Sequence, residues 1–124
     1  MWYMTKLQLA KIRQDVRALK ARRNVLEHIA MAHHDMVVGS LIERRFRPGG
    51  SVAHYLSIPT PRNSWHRYVR KDELEVFRRR SAAWREFTQA LAEWVRLNKA
   101  IEHELRRLGK GRCIKIEIRR GMKS

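Results

Sequence analysis

Cysteine is almost missing from this chain: Cys113 is the single one in 124 residues. That excludes an intramolecular disulfide and any cysteine-rich zinc site, and it suits a reducing cytoplasm. Long hydrophobic runs are missing too. Nowhere do about eighteen apolar residues follow one another, and the N-terminal MWYMTKLQLAKIRQ lacks the continuous apolar stretch of a signal peptide. The expectation is a soluble cytoplasmic protein, neither exported nor embedded in a membrane. Acid is scarce: 12 Asp and Glu stand against 28 Lys and Arg, a formal net charge of +16. Such a surface concentrates polyanions and binds phosphate backbones in a salt-dependent way. Nucleic acid is therefore the leading partner, although ribosomal RNA, anionic lipid or an acidic protein would satisfy the same electrostatics.

Signatures of catalysis are also lacking. There is no glycine-rich phosphate loop, Walker motif, nucleophile elbow or spaced carboxylate cluster. The acids between residues 72 and 108 sit three or four residues from bases, as Glu75 does from Arg78 and Arg79, which is ion-pair spacing on a helix. His28, His33, His34 and Asp35 are metal-capable residue types, but adjacent imidazoles point about 100° apart on a helix, and these residues read as a polar helix end. Neither catalytic residues, nor a cofactor, nor a metal is assigned.

Proline and glycine are few and unevenly placed. The prolines are Pro48, Pro59 and Pro61, whereas residues 5–34 and 72–108 hold no proline or glycine at all. In the first of these segments Leu9, Ile12, Val16, Leu19, Leu26 and Ile29 or Ala30 recur at steps of three and four, interrupted at Arg23, with Thr5 as the expected N-cap. In the second, Leu74, Phe77, Ser81, Trp84, Leu91, Val95, Asn98, Ile101, Leu105 and Leu108 follow a near-heptad, widened by Phe87 and Trp94. Gly109 is the expected first residue past the helix. Asn98 is either a seam residue that fixes register or an exposed one. Two long helices flanking a short insert predict an antiparallel hairpin, with faces left over for a protein partner or a second copy.

The insert reads as three strands. Residues 36–46 end in the turn signal Pro48-Gly49-Gly50, residues 52–58 make a second strand, and residues 65–69 a third after the Pro59–Asn63 loop. The expected fold is thus mainly α with a small β insert: a coiled-coil-like antiparallel helical hairpin capped by a three-stranded antiparallel β-meander. Residues 1–108 are expected to form a single domain (helix about 5–34, β insert about 36–69, helix about 72–108), followed by a basic tail, 109–124. In that tail Ile114, Ile116 and Ile118 alternate with Lys115 and Glu117. It is either a strand or a basic arm that becomes ordered on binding, the second being preferred.

The charge is concentrated by segment. Residues 36–69 carry five basic residues and one acid, and residues 109–124 carry six and one, while residues 70–108 are mixed, with ten and seven. Guanidinium groups make bidentate phosphate contacts, so the candidate nucleic-acid-binding residues are Arg44, Arg45, Arg47, Arg62, Arg67, Arg70, Arg78, Lys110, Arg112, Arg119 and Arg120. Arg79 and Arg80 extend the cluster, and Arg17, Lys20, Arg22 and Arg23 are a weaker one. Exposed aromatics can stack on unpaired bases, but Phe46, Trp65 and Tyr68 are expected in the core of the small sheet.

Gly39-Ser40-Leu41 with Arg44, then His54-Tyr55-Leu56-Ser57, then Arg67-Tyr68-Val69 ahead of a long charged helix, resembles a family of small bacterial proteins of unknown function. Its members are often encoded near transposases and recombinases. The resemblance covers residues 36–100 and implies a mobile-element context. Family members carry Cys-Gly-Lys and further cysteines between the first two strands; here Pro48-Gly49-Gly50-Ser51 stands instead, so the resemblance implies no metal knuckle. The functional expectation is a non-enzymatic nucleic-acid-binding protein, DNA favoured over RNA, acting as an accessory to a recombinase, transposase or similar machine. The alternative is a helical-hairpin subunit of a larger assembly that binds RNA or an acidic protein.

Overall fold

The computed structural model describes residues 4–114 and Ile116. In chain order it contains α1 (Lys6–Ala32), β1 (Ser40–Arg44), β2 (Ala53–Pro59), β3 (Ser64–Val69), a 3-10 turn at Lys71–Glu73 and α2 (Leu74–Gly111). The expected class is what is found: mainly helical, with two long antiparallel helices and a small antiparallel meander. No described helix is long and apolar enough to cross a membrane.

α1 starts at Thr5 as its sequence demands. The Gln8 N–H donates to Thr5 Oγ1 (3.1 Å) and the Thr5 N–H donates to Gln8 Oε1 (2.8 Å), a reciprocal capping box. The helix stops at Ala32, short of the expected His34, and Asp35 adopts a left-handed conformation (φ 56°). Its carboxylate lies 3.0 Å from Arg80 Nε, while His33 Nε2 lies 3.4 Å from Glu86.

α2 runs past the expected stop at Gly109 to Gly111. Gly109 does not take the positive φ of a left-handed cap, and the backbone bonds run on to the Arg112 N–H, which donates to the Leu108 carbonyl (3.2 Å). At Gly111 a Cβ would come within 2.8 Å of Met4 Sδ and 3.0 Å of Leu9 Cδ2. Close packing against the start of α1, rather than a left-handed cap, is what glycine serves here.

The chain divides into two compact units, one formed by Met1–Leu26 with Glu93–Ser124 and the other by Glu27–Ala92. The core of the first unit is Ile12, Val16, Ile101 and Leu108, with Met4, Leu9 and Leu19 packed on it. Burying each such aliphatic side chain contributes about 1.5–3 kcal/mol. Two irregularities of the sequence prove to be one feature, because Arg23 Nη1 donates to Asn98 Oδ1 at 3.1 Å in a half-buried setting. Arg22 beside it pairs with Glu93 through two hydrogen bonds (3.2 and 3.3 Å).

The expected near-heptad on α2 is only partly in phase with the buried face. Leu91, Val95 and Leu105 are exposed, whereas Ala90, Ile101 and Leu108 are buried. A helix turns in 3.6 residues, so a seam written at 3.5 drifts from the face that meets the neighbour.

In the second unit the strands are ordered β1-β2-β3, each pair antiparallel. The Gly50 N–H donates to the Arg47 carbonyl (3.0 Å) and Gly49 has φ 72°. With Pro48 at the second position, this is the sequence pattern of a type II turn. The sheet is seated on α2 through Gly39, whose carbonyl accepts from the buried Ser81 hydroxyl at 2.7 Å. Gly39 has φ 130°, and a Cβ there would stand 2.6 Å from the Ser57 carbonyl oxygen.

Candidate nucleic-acid interface

Side chains alternate along a strand, and directly opposed residues share a face. The register sets Glu43, His54 and Val69 on one face together with Leu41, Leu56 and Arg67. The other face carries Ile42, Tyr55 and Tyr68, with Ser40, Ser57 and His66. Leu56 is 1% and Val69 2% exposed, so the first face is the one that packs inward.

Arg67 therefore points inward, apart from the other candidate arginines. Its guanidinium carbon lies 4.8 Å from the centre of the Phe77 ring, and its Nη2 is 3.6 Å from Glu73. This is a clamp between β3 and the start of α2, built from a cation–π contact and an ion pair. The carboxyl of Glu73 is held below its usual value near 4.5, first by the hydrogen bond from the Arg70 N–H and then by the charge of Arg67.

The outer face is different. Phe46, Tyr55 and Tyr68 make a row of rings across it, with edge-to-face contacts at 6.4 Å (Phe46 to Tyr55) and 5.6 Å (Tyr55 to Tyr68). Phe46 is 72% and Tyr68 54% exposed on this face, while Trp65, opposite Ile58 and of the inner parity, is 57% exposed at the sheet's end. The expectation that these three are core residues is thus corrected. β3 holds Arg67, Tyr68 and Val69 in succession, so burying Val69 turns Tyr68 outward and Arg67 inward. Phe46 lies beyond the end of β1, where no described element covers it.

Arg44 belongs to this outer face. Its guanidinium carbon is 5.4 Å from the Tyr55 ring centre, and Nη2 donates to His66 Nδ1 at 2.7 Å. That bond needs a neutral imidazole with its proton on Nε2, which then faces the Ser64 hydroxyl oxygen at 3.3 Å. Among the described residues no acid lies on this face. Glu43, the single acid of residues 36–69, belongs to the opposite parity and lies 3.6 Å from His54.

Other candidates sit around the sheet. Arg45 and Arg47 flank the β1–β2 turn, where Arg45 Nη1 donates to the Gly50 carbonyl (3.3 Å) and Arg47 lines an open hollow with Phe46, Pro48, Gly49, Gly50 and Ser51. Arg62 is exposed in the β2–β3 loop, which is closed by the Thr60 N–H to Asn63 carbonyl bond (2.7 Å). These groups lie at opposite ends of β2, about 20 Å apart for a seven-residue strand. Arg70 is exposed within 3.6 Å of Asp72 and Glu73, and Arg78 is bonded to Glu75, so both are partly neutralised.

Lys110 and Arg112 are exposed at the end of α2 and belong to the other unit. Arg119, Arg120 and Ile118 lie outside the described residues, while Ile114 and Ile116 are exposed and in no helix or strand. Arg22 and Arg23 are occupied by Glu93 and Asn98. Among the described residues no three His, Cys, Asp or Glu side chains gather as a metal site.

No protein-family model matches the chain, and no curated protein or solved structure matches it either.

Proposed function

We propose that the chain is a non-enzymatic nucleic-acid-binding protein, a DNA-binding accessory of a recombinase, transposase or similar machine. The observation that carries this reading is the outer sheet face: free of acids among the described residues, crossed by Arg44 and bordered by Arg45, Arg47 and Arg62, in a chain of net charge +16. Phosphates find cations on this face without meeting a carboxylate. The mobile-element context rests on the resemblance of residues 36–100 alone.

Anisotropy titrations of labelled DNA at several salt concentrations test the reading. Binding should weaken steeply with salt, and the slope should flatten by about one for each phosphate-contacting arginine replaced by alanine. Absence of binding at about 50 mM salt, where such contacts are strongest, would refute it.

A second reading, an assembly subunit that docks through its helices, is favoured by the exposed Val95 and Leu105 on α2. A fixed protein partner, or RNA, carried through nuclease-free purification would move the assignment there.

A further inference from the structure

We propose that the outer face of the meander binds single-stranded DNA, with Tyr68 and Phe46 stacking on unpaired bases and Arg44 and Arg62 holding phosphates. This rests on the nucleic-acid reading above and narrows it to one form of the polymer.

The argument starts from the cost of the arrangement. Tyr68 and Phe46 are both more than half exposed on a sheet whose opposite face is already filled by Leu56 and Val69. Large aromatic rings left in water at neighbouring positions mark a contact surface rather than a core. The rings also meet edge to face, with interplanar angles of 77° and 70°. In such a pair the ring that offers its edge keeps both of its faces clear of the other, so the row is not closed upon itself.

A base supplies what these rings lack. Every base has a flat π-face, and stacking on an aromatic side chain is tolerant of sequence. Inside a duplex those faces are already stacked on neighbouring pairs, so only unpaired bases can use this surface. The cations fit the same ligand: Arg44, opposite Ala53 at the start of β2, and Arg62, beyond its end, lie about 20 Å apart, with Tyr55 and Tyr68 between them and Phe46 at the Arg44 end. An extended strand laid along β2 would meet a phosphate contact at each end and ring contacts in the half nearer Arg44. A protein partner of acidic character would be drawn by the arginines, but it gives no reason for a row of open rings flanking Tyr55, over which Arg44 already lies.

The test uses the full chain and three labelled probes of one sequence, about 16 nucleotides long: single-stranded DNA, the duplex, and single-stranded RNA. The single-stranded DNA carries a fluorescent adenine analogue that dims on stacking. Single-stranded DNA should bind tighter than duplex and quench the analogue. Tyr68→Leu and Phe46→Leu should each weaken it by about 5- to 150-fold while leaving duplex affinity and the salt slope unchanged.

Phe46→Leu lies outside the strands and keeps the test open should Tyr68→Leu unfold the sheet, which a thermal melt would report. The proposal is overturned if folded variants bind single-stranded DNA as the parent does, if duplex is preferred, or if RNA binds more than tenfold tighter. In each of these cases nucleic-acid binding itself would stand. Failure of all three probes at low salt would remove the underlying reading as well.

Discussion

The two faces of the meander are made from the same three strands and differ in almost everything else. The inner face holds Leu56 and Val69 out of water and spends its arginine, Arg67, on Phe77 and Glu73. The outer face leaves Tyr68 and Phe46 in water and lays its arginine, Arg44, across Tyr55. One face is organised by burial and the other by access. A substitution should therefore be felt in stability on the inside and in binding on the outside.

Leu56→Ala is the strongest way to break that division. It deletes a fully buried side chain from a thin sheet and is expected to cost about 2–5 kcal/mol, read as a shift in urea midpoint. Tyr68→Ala should cost under about 1 kcal/mol by comparison. Equal losses for the two would mean that the outer face is structural after all.

Gly39→Ala comes next. The residue has φ 130°, and the added methyl would press on the Ser57 carbonyl at 2.6 Å while Gly39's own carbonyl accepts from Ser81. Backbone strain of this kind costs about 1–3 kcal/mol. The loss should appear as a lower melting temperature, and a melt equal to the parent's would show that the sheet is seated in some other way.

The two arginines sharpen the comparison further. Arg67→Ala removes the contact with Phe77 and should cost about 1–2 kcal/mol of stability without altering the salt dependence of DNA binding. Arg44→Ala should do the reverse, leaving stability within about 0.5 kcal/mol and lowering the salt slope by about one. A salt slope that falls for Arg67→Ala would place that guanidinium in the interface.

Much of this fold was legible in the sequence, since periodicity and the confinement of proline to one segment mark two helices and three strands. The Thr5 cap and the Pro48-Gly49 turn were equally plain, because each depends only on neighbours in the chain. What failed was phase. The heptad spacing places Leu91, Val95 and Leu105 at the seam, yet they are exposed, because one residue along a helix swings a side chain by about 100°. Arg67 does not share the surface of Arg44, Arg62 and Arg70, because alternation along β3 places it and Tyr68 on opposite faces once Val69 is buried. That signal was present in Arg67-Tyr68-Val69 and needed only the inward residue to be identified. Gly111 could not have been read, since its demand for a small residue comes from Met4 and Leu9, a hundred residues away in sequence.

The smallest expected effect concerns the acid that completes the inner clamp. Glu73 accepts the Arg70 N–H and faces Arg67, and its folded-state pKa lies below the usual value near 4.5. The folded state therefore binds this proton less readily than the unfolded chain. Its contribution is full above the unfolded value and is lost as pH falls through the folded one. Glu73→Gln keeps an oxygen that can accept the Arg70 N–H but removes the charge and the titration. Urea midpoints from about pH 6 to about pH 3 should fall less steeply for Glu73→Gln than for the parent, with the gap between them closing at the acid end. Parallel curves would show that the Arg67–Glu73 pair adds nothing to the inner face, leaving Phe77 alone to hold Arg67 inward.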